Sequence, residues 1–175
     1  MNRKFSVLVF VLLGSLLVMF ACEKDDACAD GQGTPYLIVR FMDFEDQDNP
    51  DDVVSLQVTY IGDNVETDPN KDVYVNAQTT DSLTLSLPTF KDHAVYVFKQ
   101  NYNILDEMTA QIDTIDFSYN RTDEYVNRAC GFKTVYNDLE VDIRRSEGGR
   151  GFIIGKIIEQ NLVDDEEEAH VRFIH

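Results

Sequence analysis

Ser82-Leu83-Thr84-Leu85-Ser86-Leu87 alternates hydroxyl-bearing and leucine side chains at every step. Successive side chains of a β-strand point to opposite faces, so a period of two is typical of a strand with one buried face. We therefore expect a strand whose leucines face a core and whose serines and threonine face outward. Pro88 follows and cannot donate a ladder hydrogen bond, so we expect the strand to end there.

Strand-like segments recur on both sides of this stretch. They are rich in β-branched and aromatic residues and are separated by polar segments. The further candidates are 36–42, 54–61, 73–78, 94–102, 109–119, 139–143, 152–160 and 169–174. About nine short strands at this spacing favour a β-sandwich or a barrel.

Two of these segments carry more specific expectations. The segment 54–61 alternates well, and the residues expected to face inward are Val54, Leu56, Val58 and Tyr60. The segment 94–102 is apolar on both faces, which predicts a central strand.

Two irregularities are also expected. Ile112 is followed by Ile115 rather than by an apolar residue two positions on, which predicts a bulge near Thr114. The segment 144–151 is a hairpin candidate, because Gly148 and Gly149 can adopt the positive φ of a tight turn.

The sequence thus predicts an all-β fold, an antiparallel β-sandwich of about eight to nine strands, immunoglobulin-like in the broad sense. We expect one domain over residues 35–175, which is long enough to bury a proper core. The chain has no Trp and its cysteines are placed differently from those of an antibody domain, which argues against that particular type.

The N-terminus has the pattern of an export signal. Arg3 and Lys4 precede an apolar run of 17 residues over 5–21, and Ala21 is a small residue before Cys22. We expect residues 1–21 to form a signal helix that is cleaved from the mature protein. An uncleaved membrane span and a cleaved, unlipidated export signal are the alternatives.

The run Val18-Met19-Phe20-Ala21-Cys22 resembles the lipobox of bacterial lipoproteins. The resemblance implies that the Cys22 thiol carries diacylglycerol, that residues 1–21 are removed, and that the freed amine is acylated, for example with palmitate. Long acyl chains would then hold the protein on a membrane, since each buried CH₂ contributes about 0.8 kcal/mol.

Glu23-Lys24-Asp25-Asp26 follows and resembles the export signal of Bacteroidetes-type lipoproteins. The resemblance implies lipid anchoring at the outer membrane with exposure at the cell surface; the periplasmic face is the alternative. Residues 22–34 would form an acidic tether, and an ordinary solvated tether is the alternative interpretation of the tetrapeptide.

The chain is strongly acidic, with a formal net charge of −17. Removal of residues 1–21 would take away Arg3 and Lys4 and leave 13 basic against 32 acidic residues, a charge of −19. Such a surface repels phosphate backbones, so we expect no nucleic-acid partner. Solubility is the simplest reason for the acidity.

With Cys22 lipidated, Cys28 and Cys130 remain as an even pair in an exported protein. We therefore expect a Cys28–Cys130 disulfide. Two free buried thiols, or a catalytic Cys130 with a histidine partner, are the alternatives.

The acidic stretch 45–52 is the best metal candidate, because Asp46 and Asp48 offer hard oxygens at alternating positions. Pro50 and Asp51 break the pattern of a calcium-binding loop, so a solvated loop between strands is the favoured interpretation. The three histidines, His93, His170 and His175, are not spaced like a zinc motif. We expect neither a metal nor a cofactor.

Aromatic residues are the remaining binding candidates. Tyr96, Phe98, Tyr102, Tyr119 and Tyr125 would suit a stacking face for sugar rings on a sheet. Core packing and cross-strand pairing are the favoured roles of these side chains.

The run Arg128-Ala129-Cys130-Gly131-Phe132 follows the Tyr-rich segment 117–125. In this all-β context it resembles a family of small Bacteroidetes lipoproteins known as a domain of unknown function, which implies a shared architecture and no activity. We expect a non-enzymatic, lipid-anchored binding or structural module of the cell envelope, with an envelope protein or a surface glycan as its ligand. An accessory carbohydrate-binding lipoprotein is the second hypothesis and a hydrolase the third.

Overall fold

The computed structural model describes Cys28 and residues 33–61, 73–103, 105, 110–145 and 151–175. This part of the chain forms nine strands and no helix: β1 Leu37–Met42, β2 Val53–Ile61, β3 Val73–Thr80, β4 Ser82–Leu85, β5 His93–Gln100, β6 Gln111–Asn127, β7 Gly131–Arg144, β8 Gly155–Ile158 and β9 Val171–Ile174. It accordingly contains no helix that is long and apolar enough to cross a membrane. The predicted signal helix, Cys22 and the Gly148-Gly149 turn lie outside the described residues.

The strands form two sheets, one with the order β4-β1-β9-β8 and one with the order β3-β2-β5-β6-β7. Aromatic side chains of the two sheets meet between them: the ring centroids of Phe41 and Phe98 lie 6.3 Å apart, and those of Phe117 and Phe173 lie 6.4 Å apart. The predicted all-β sandwich is therefore confirmed. The expected central position of the 94–102 segment is confirmed as well, since β5 lies in the middle of the five-stranded sheet.

One pairing departs from the antiparallel expectation. Strands β1 and β9 run parallel, in register from Val39 opposite Val171 to Met42 opposite Ile174. These two strands come from opposite ends of the domain, so no hairpin connects them and nothing in the connection imposes an antiparallel direction.

The Ser82 to Leu87 stretch behaves as its alternation predicts. Leu83, Leu85 and Leu87 are all buried in the core. Ladder pairing with β1 ends at Leu85, two residues earlier than expected, although Leu87 still points into the core.

The phase predicted for β2 is wrong at its start. Val53 is fully buried whereas Val54 is 52% exposed. The cause is a bulge: Ser55 has a φ of 50°, and the register with β3 shifts between Val53 and Leu56. Because of this extra residue, the side chains of β2 before the bulge point to the opposite faces of the sheet from those that strict alternation predicts.

The bulge predicted near Thr114 does not exist. Strand β6 pairs with β5 in unbroken register from Ser118 opposite His93 to Gln111 opposite Gln100. The inward position between Gln111 and Ile115 belongs to Asp113, which is fully buried, and not to Ile112. An acidic residue in a core position thus produced the apparent change of phase.

The two longest strands, β6 and β7, form a hairpin whose turn is Arg128-Ala129-Cys130. Gly131 closes the turn with a φ of 73°, a left-handed conformation that glycine adopts readily. The Asn127 side chain accepts hydrogen bonds from the backbone N–H groups of Ala129 and Cys130 at 2.8 and 2.7 Å. A glycine with positive φ at the end of the turn is typical of a three-residue hairpin loop.

Candidate functional site

A shallow cleft of about 500 Å³ lies on the five-stranded sheet, where β2 and β3 meet the segment that follows β5. We call it the amide cleft. Its lining residues are Ser55, Asn76, Ala77, Asn101, Tyr102 and Asn103.

The backbone around the amide cleft is unusual. Among the described residues, four non-glycine residues have a positive φ, and three of them line this cleft: Ser55 at 50°, Ala77 at 53° and Asn101 at 56°. For Ser55 and Ala77 this conformation costs about 1 to 2 kcal/mol, whereas asparagine adopts it more readily. Strained positions of this kind cluster at binding and active sites, which makes the amide cleft the leading candidate surface.

Hydrogen bonds hold this strained backbone in place. The N–H groups of Asn101 and Tyr102 donate to the carbonyls of Val54 and Ser55 at 3.1 and 3.0 Å. The Ser55 hydroxyl donates back to the Tyr102 carbonyl at 2.7 Å. The bulge in β2 and the segment after β5 are therefore locked together, and the cleft is preformed.

The lining of the amide cleft is neutral although the chain is strongly acidic. Three asparagine side chains supply both amide donors and carbonyl acceptors, and Ser55 adds a hydroxyl. The Tyr102 ring is half-buried at the edge, with the Lys99 ammonium 5.3 Å from its centroid. Such a surface suits a neutral ligand rich in hydroxyl or amide groups.

Three of the five aromatic candidates for a stacking face lie in the core instead, which is the role that the sequence favours for them. Tyr96, Phe98 and Tyr119 are buried between the sheets, because they share the inward face of β5 and β6 with the rest of the core. Tyr102 does reach the surface, at the amide cleft. Tyr125 is 60% exposed, far out on the β6–β7 hairpin.

The two metal candidates lie in an exposed loop between β1 and β2. Asp46 accepts a hydrogen bond from the N–H of Asp48 at 3.4 Å, and Asp48 lies 4.0 Å from the Arg172 guanidinium. Asp43, which the sequence did not single out, accepts the N–H groups of Glu45 and Asp46. In the part of the chain that the structure describes, no group of three or more potential ligands is arranged around a metal position.

A second shallow cavity bears on the hydrolase hypothesis, because Asp92, Asp138 and Glu140 line it together with His93. A general acid needs a raised pKa. The pKa of Asp92 is instead lowered, chiefly by its hydrogen bond with the His93 ring at 3.1 Å. Asp92 therefore does not have the raised carboxyl pKa that a catalytic acid requires.

Two buried polar side chains, Asp113 and His170, accept hydrogen bonds from the backbone, a role that the sequence did not indicate. Asp113 Oδ2 accepts hydrogen bonds from the backbone N–H groups of Phe152 and Ile153. The other carboxylate oxygen of Asp113 lies 3.7 Å from Arg145 Nε. His170 Nδ1 accepts the N–H of Ile38 at 3.0 Å. Burial lowers the pKa of His170, while three nearby carboxylates oppose the shift. The signal for Asp113 was present, because it is in period-two phase with Ile115.

The structure contains the predicted disulfide. Cys28 and Cys130 are bonded with their Cα atoms 4.9 Å apart, across a sequence separation of 102 residues. The bond joins the N-terminal segment to the turn of the β6–β7 hairpin. It also uses the cysteine of the Arg128 to Phe132 run, so the pairing excludes both free thiols and a catalytic Cys130.

Comparison with known proteins identifies the family of this chain. No curated protein matches the chain, and no solved structure matches it either. One family model matches residues 56–175, which is more than half of the chain and extends from inside β2 to the end of β9. Its description gives no activity. The chain therefore belongs to this family of unknown function, DUF6452.

Proposed function

We propose that the protein is a lipid-anchored component of the cell envelope, and that its sandwich is a non-enzymatic binding module. The Cys28–Cys130 disulfide carries the proposal, because structural disulfides persist in oxidising compartments outside the cytosol. It also uses two of the three cysteines and leaves Cys22 as the odd one, directly after the apolar leader.

The anchor is assigned to Cys22. The lipobox-like run 18–22 supports a thioether-linked diacylglycerol, and Glu23-Lys24-Asp25-Asp26 supports display on the outer face of the outer membrane. Only five residues separate Cys22 from Cys28, so the disulfide would hold the folded domain close to the bilayer.

The anchor can be tested by expressing wild-type protein and Cys22→Ala in a host that processes lipoproteins. Wild-type protein should incorporate labelled palmitate and sediment with membranes, whereas Cys22→Ala should do neither. Cys28→Ala is the matched control, because it removes a cysteine from the same tether but leaves the anchor. Membrane retention of Cys22→Ala would contradict the proposal.

Surface display needs a separate measurement. Protease added to intact cells should degrade a protein displayed on the outer face and spare one on the periplasmic face. Replacement of Lys24, Asp25 and Asp26 by alanine should make the protein protease-resistant while it remains lipidated.

The amide cleft supports a second function, that of an accessory carbohydrate-binding lipoprotein. Its uncharged amides and its hydroxyl match the hydrogen-bonding needs of a neutral glycan, and the partly exposed Tyr102 ring offers a surface for stacking. Binding to a glycan array should be lost in Asn76→Ala and Tyr102→Ala. It should persist in Phe90→Ala, which removes an exposed aromatic elsewhere.

An envelope protein is the alternative ligand. Crosslinking in intact cells, followed by identification of the captured species, separates the two. Capture of one protein by wild type, and its loss in Asn76→Ala, would favour the protein ligand. Glycan binding without protein capture would favour the carbohydrate-binding role.

A further inference from the structure

The outer part of the β6–β7 hairpin carries two exposed aromatic rings. We call residues 124–133 the hairpin tip. Tyr125 and Phe132 face each other across the hairpin in register, with ring centroids 5.4 Å apart. They are 60% and 70% exposed, which is unusual for two large neighbouring rings on the surface of an acidic protein.

The hairpin tip projects from the sandwich. Pairing of β5 with β6 ends at Ser118, so the outer residues of β6 pair with β7 alone. The N–H of Thr134, next to the tip, donates to the Thr34 hydroxyl at 3.0 Å, and Lys133 donates to the Asp164 carbonyl. Ala129 in the turn is four residues from Lys133 along the chain, so the tip extends at most about 13 Å beyond Lys133 at about 3.3 Å per residue.

The charge of the hairpin tip, counted without the acidic tether that the disulfide joins to it, is opposite to that of the chain. Residues 124–133 contain Arg128 and Lys133 against Glu124, a net charge of +1 in a chain of net charge −17. Because Lys133 lies 3.9 Å from Glu124, the excess positive charge is that of Arg128 in the turn. The acidic run 164–168 lies at the base of the tip, where Lys133 contacts Asp164. The reach of the tip, at most about 13 Å, exceeds the Debye length of about 8 Å at physiological salt, so the effect of that acidic run on the turn is largely screened.

The disulfide fixes the tip close to the anchor. Cys130 lies in the turn of the tip and is bonded to Cys28. Cys28 follows Cys22 by six residue steps, which span at most about 22 Å even when fully extended. A lipid on Cys22 would therefore keep the tip within reach of the bilayer, whatever path the tether takes.

We propose that the hairpin tip is the membrane-facing end of the domain, with the rings of Tyr125 and Phe132 in the headgroup region of the bilayer that holds the Cys22 lipid. This inference rests on the proposed anchor. The amphipathic Tyr125 ring favours the interface between headgroups and acyl chains, the apolar Phe132 ring favours the acyl side of that interface, and the nearby Arg128 favours anionic headgroups.

This placement also orients the candidate ligand surface. Strand β5 begins at His93, on the side of the hairpin tip, and ends at Gln100, next to the amide cleft. With the tip on the membrane, the amide cleft lies at the distal end of the sandwich and opens toward the surrounding medium.

The chain contains no tryptophan, so one introduced tryptophan reports a single position. Phe132→Trp places the reporter on the tip. Phe44→Trp is the matched control, because Phe44 is 63% exposed and lies past the far end of β1. The lipidated variants would be purified from membranes and reconstituted in vesicles of phosphatidylcholine and anionic phosphatidylglycerol, with bromine on the acyl chains.

The Phe132→Trp variant should lose most of its tryptophan emission in brominated vesicles. In unbrominated vesicles its emission should lie at shorter wavelength than that of the Phe44→Trp variant. The Phe44→Trp variant should keep the emission that it has in unbrominated vesicles. Equal emission of the Phe132→Trp variant in the two kinds of vesicle would overturn the inference. Tyr125→Trp provides a second reporter if Phe132→Trp fails to fold.

The anchor is checked on the same samples by the mass of the N-terminal peptide. A lipidated Phe132→Trp variant whose emission is unquenched overturns the tip placement and leaves the anchor standing. An unlipidated protein that does not bind vesicles overturns both. Adding Cys28→Ser and Cys130→Ser to Phe132→Trp should reduce the quenching, and undiminished quenching would overturn the role given to the disulfide.

Discussion

The backbone N–H of Phe152 donates a hydrogen bond of 2.8 Å to the buried carboxylate of Asp113. The same oxygen also accepts the N–H of Ile153 at 2.9 Å. Gly151 packs so closely that a β-carbon there would lie 2.3 Å from the other Asp113 oxygen. One carboxylate of β6 thus serves as the acceptor for two successive N–H groups, and it attaches this segment to the five-stranded sheet.

We expect Asp113→Ala to destabilise the domain by about 3 kcal/mol, because two buried N–H groups lose their acceptor. Urea unfolding measures the loss. Asp116→Ala is the control, since Asp116 lies on the opposite face of β6 and pairs with the more exposed Arg144. It should cost less than about 1 kcal/mol. Equal losses in the two variants would contradict the role given to Asp113.

Tyr136 offers a matched pair with Tyr119. The buried Tyr136 hydroxyl donates to the Leu87 carbonyl at 2.7 Å, whereas the Tyr119 hydroxyl donates to the Pro88 carbonyl at 3.2 Å. Burial raises the pKa of Tyr136 to about 12, so the donor stays protonated over the ordinary pH range. Tyr136→Phe should lower the free energy of unfolding by about 1 to 3 kcal/mol, and Tyr119→Phe by less. The reverse order in denaturant titrations would contradict this assignment.

His170 should make stability depend on pH. Its folded-state pKa is lowered by burial, so the unfolded chain binds the extra proton more readily. The stability that neutral His170 contributes is complete above about pH 6.5, the ordinary pKa of histidine. It is lost as the pH falls through the lowered pKa of the folded state. His170→Asn keeps an acceptor for the Ile38 N–H and removes the titration. Unfolding midpoints of the two proteins should converge as the pH falls below about 6.5, relative to their difference at neutral pH.

The strain at the amide cleft predicts an unusual effect of glycine. Ala77→Gly should leave stability unchanged or raise it by up to about 1 kcal/mol, because glycine adopts a φ of 53° without steric cost. Ala94→Gly is the control: Ala94 is buried in β5 and lacks a positive φ, so this change should destabilise. Thermal unfolding of both variants checks the contrast. Equal destabilisation would show that Ala77 carries no strain.

The disulfide should contribute strongly to stability. A crosslink that closes about 100 residues stabilises by about 4 to 5 kcal/mol in the chain-entropy model. Cys28→Ser with Cys130→Ser should lower the free energy of unfolding by that order, and a reductant should do the same to wild type. A loss below about 1 kcal/mol would show that Thr34 and its neighbours already hold the N-terminal segment in place.

The alternation of apolar residues was enough to predict the fold class and most strands. Leu83, Leu85 and Leu87 are in the core, as their spacing predicts. The alternation failed where tertiary contacts decided the outcome. The bulge at Ser55 depends on hydrogen bonds to Tyr102 from a segment 47 residues away, which no local pattern reveals.

The candidate site was harder to predict than the fold. Asp113 was passed over because its two donors, Phe152 and Ile153, come from the far end of the chain. Three of the five aromatic candidates, Tyr96, Phe98 and Tyr119, belong to the core. Alternation identifies a shared face of a strand but does not show which face the second sheet covers. The amide cleft consists of asparagines that look like ordinary turn residues in the sequence.

The parallel pairing of β1 with β9 sets an order of events for a protein that is exported as we propose. A chain threaded through a membrane with its N-terminus first delivers β1 early and Val171 to Ile174 last. Until then β1 can pair with β4 alone, and Phe41 has no Phe173 ring to pack against. The four-stranded sheet is therefore complete only after β9 has crossed the membrane, so the sandwich does not close while the chain is being translocated. Until then the incomplete sheet exposes apolar surface to which chaperones can bind.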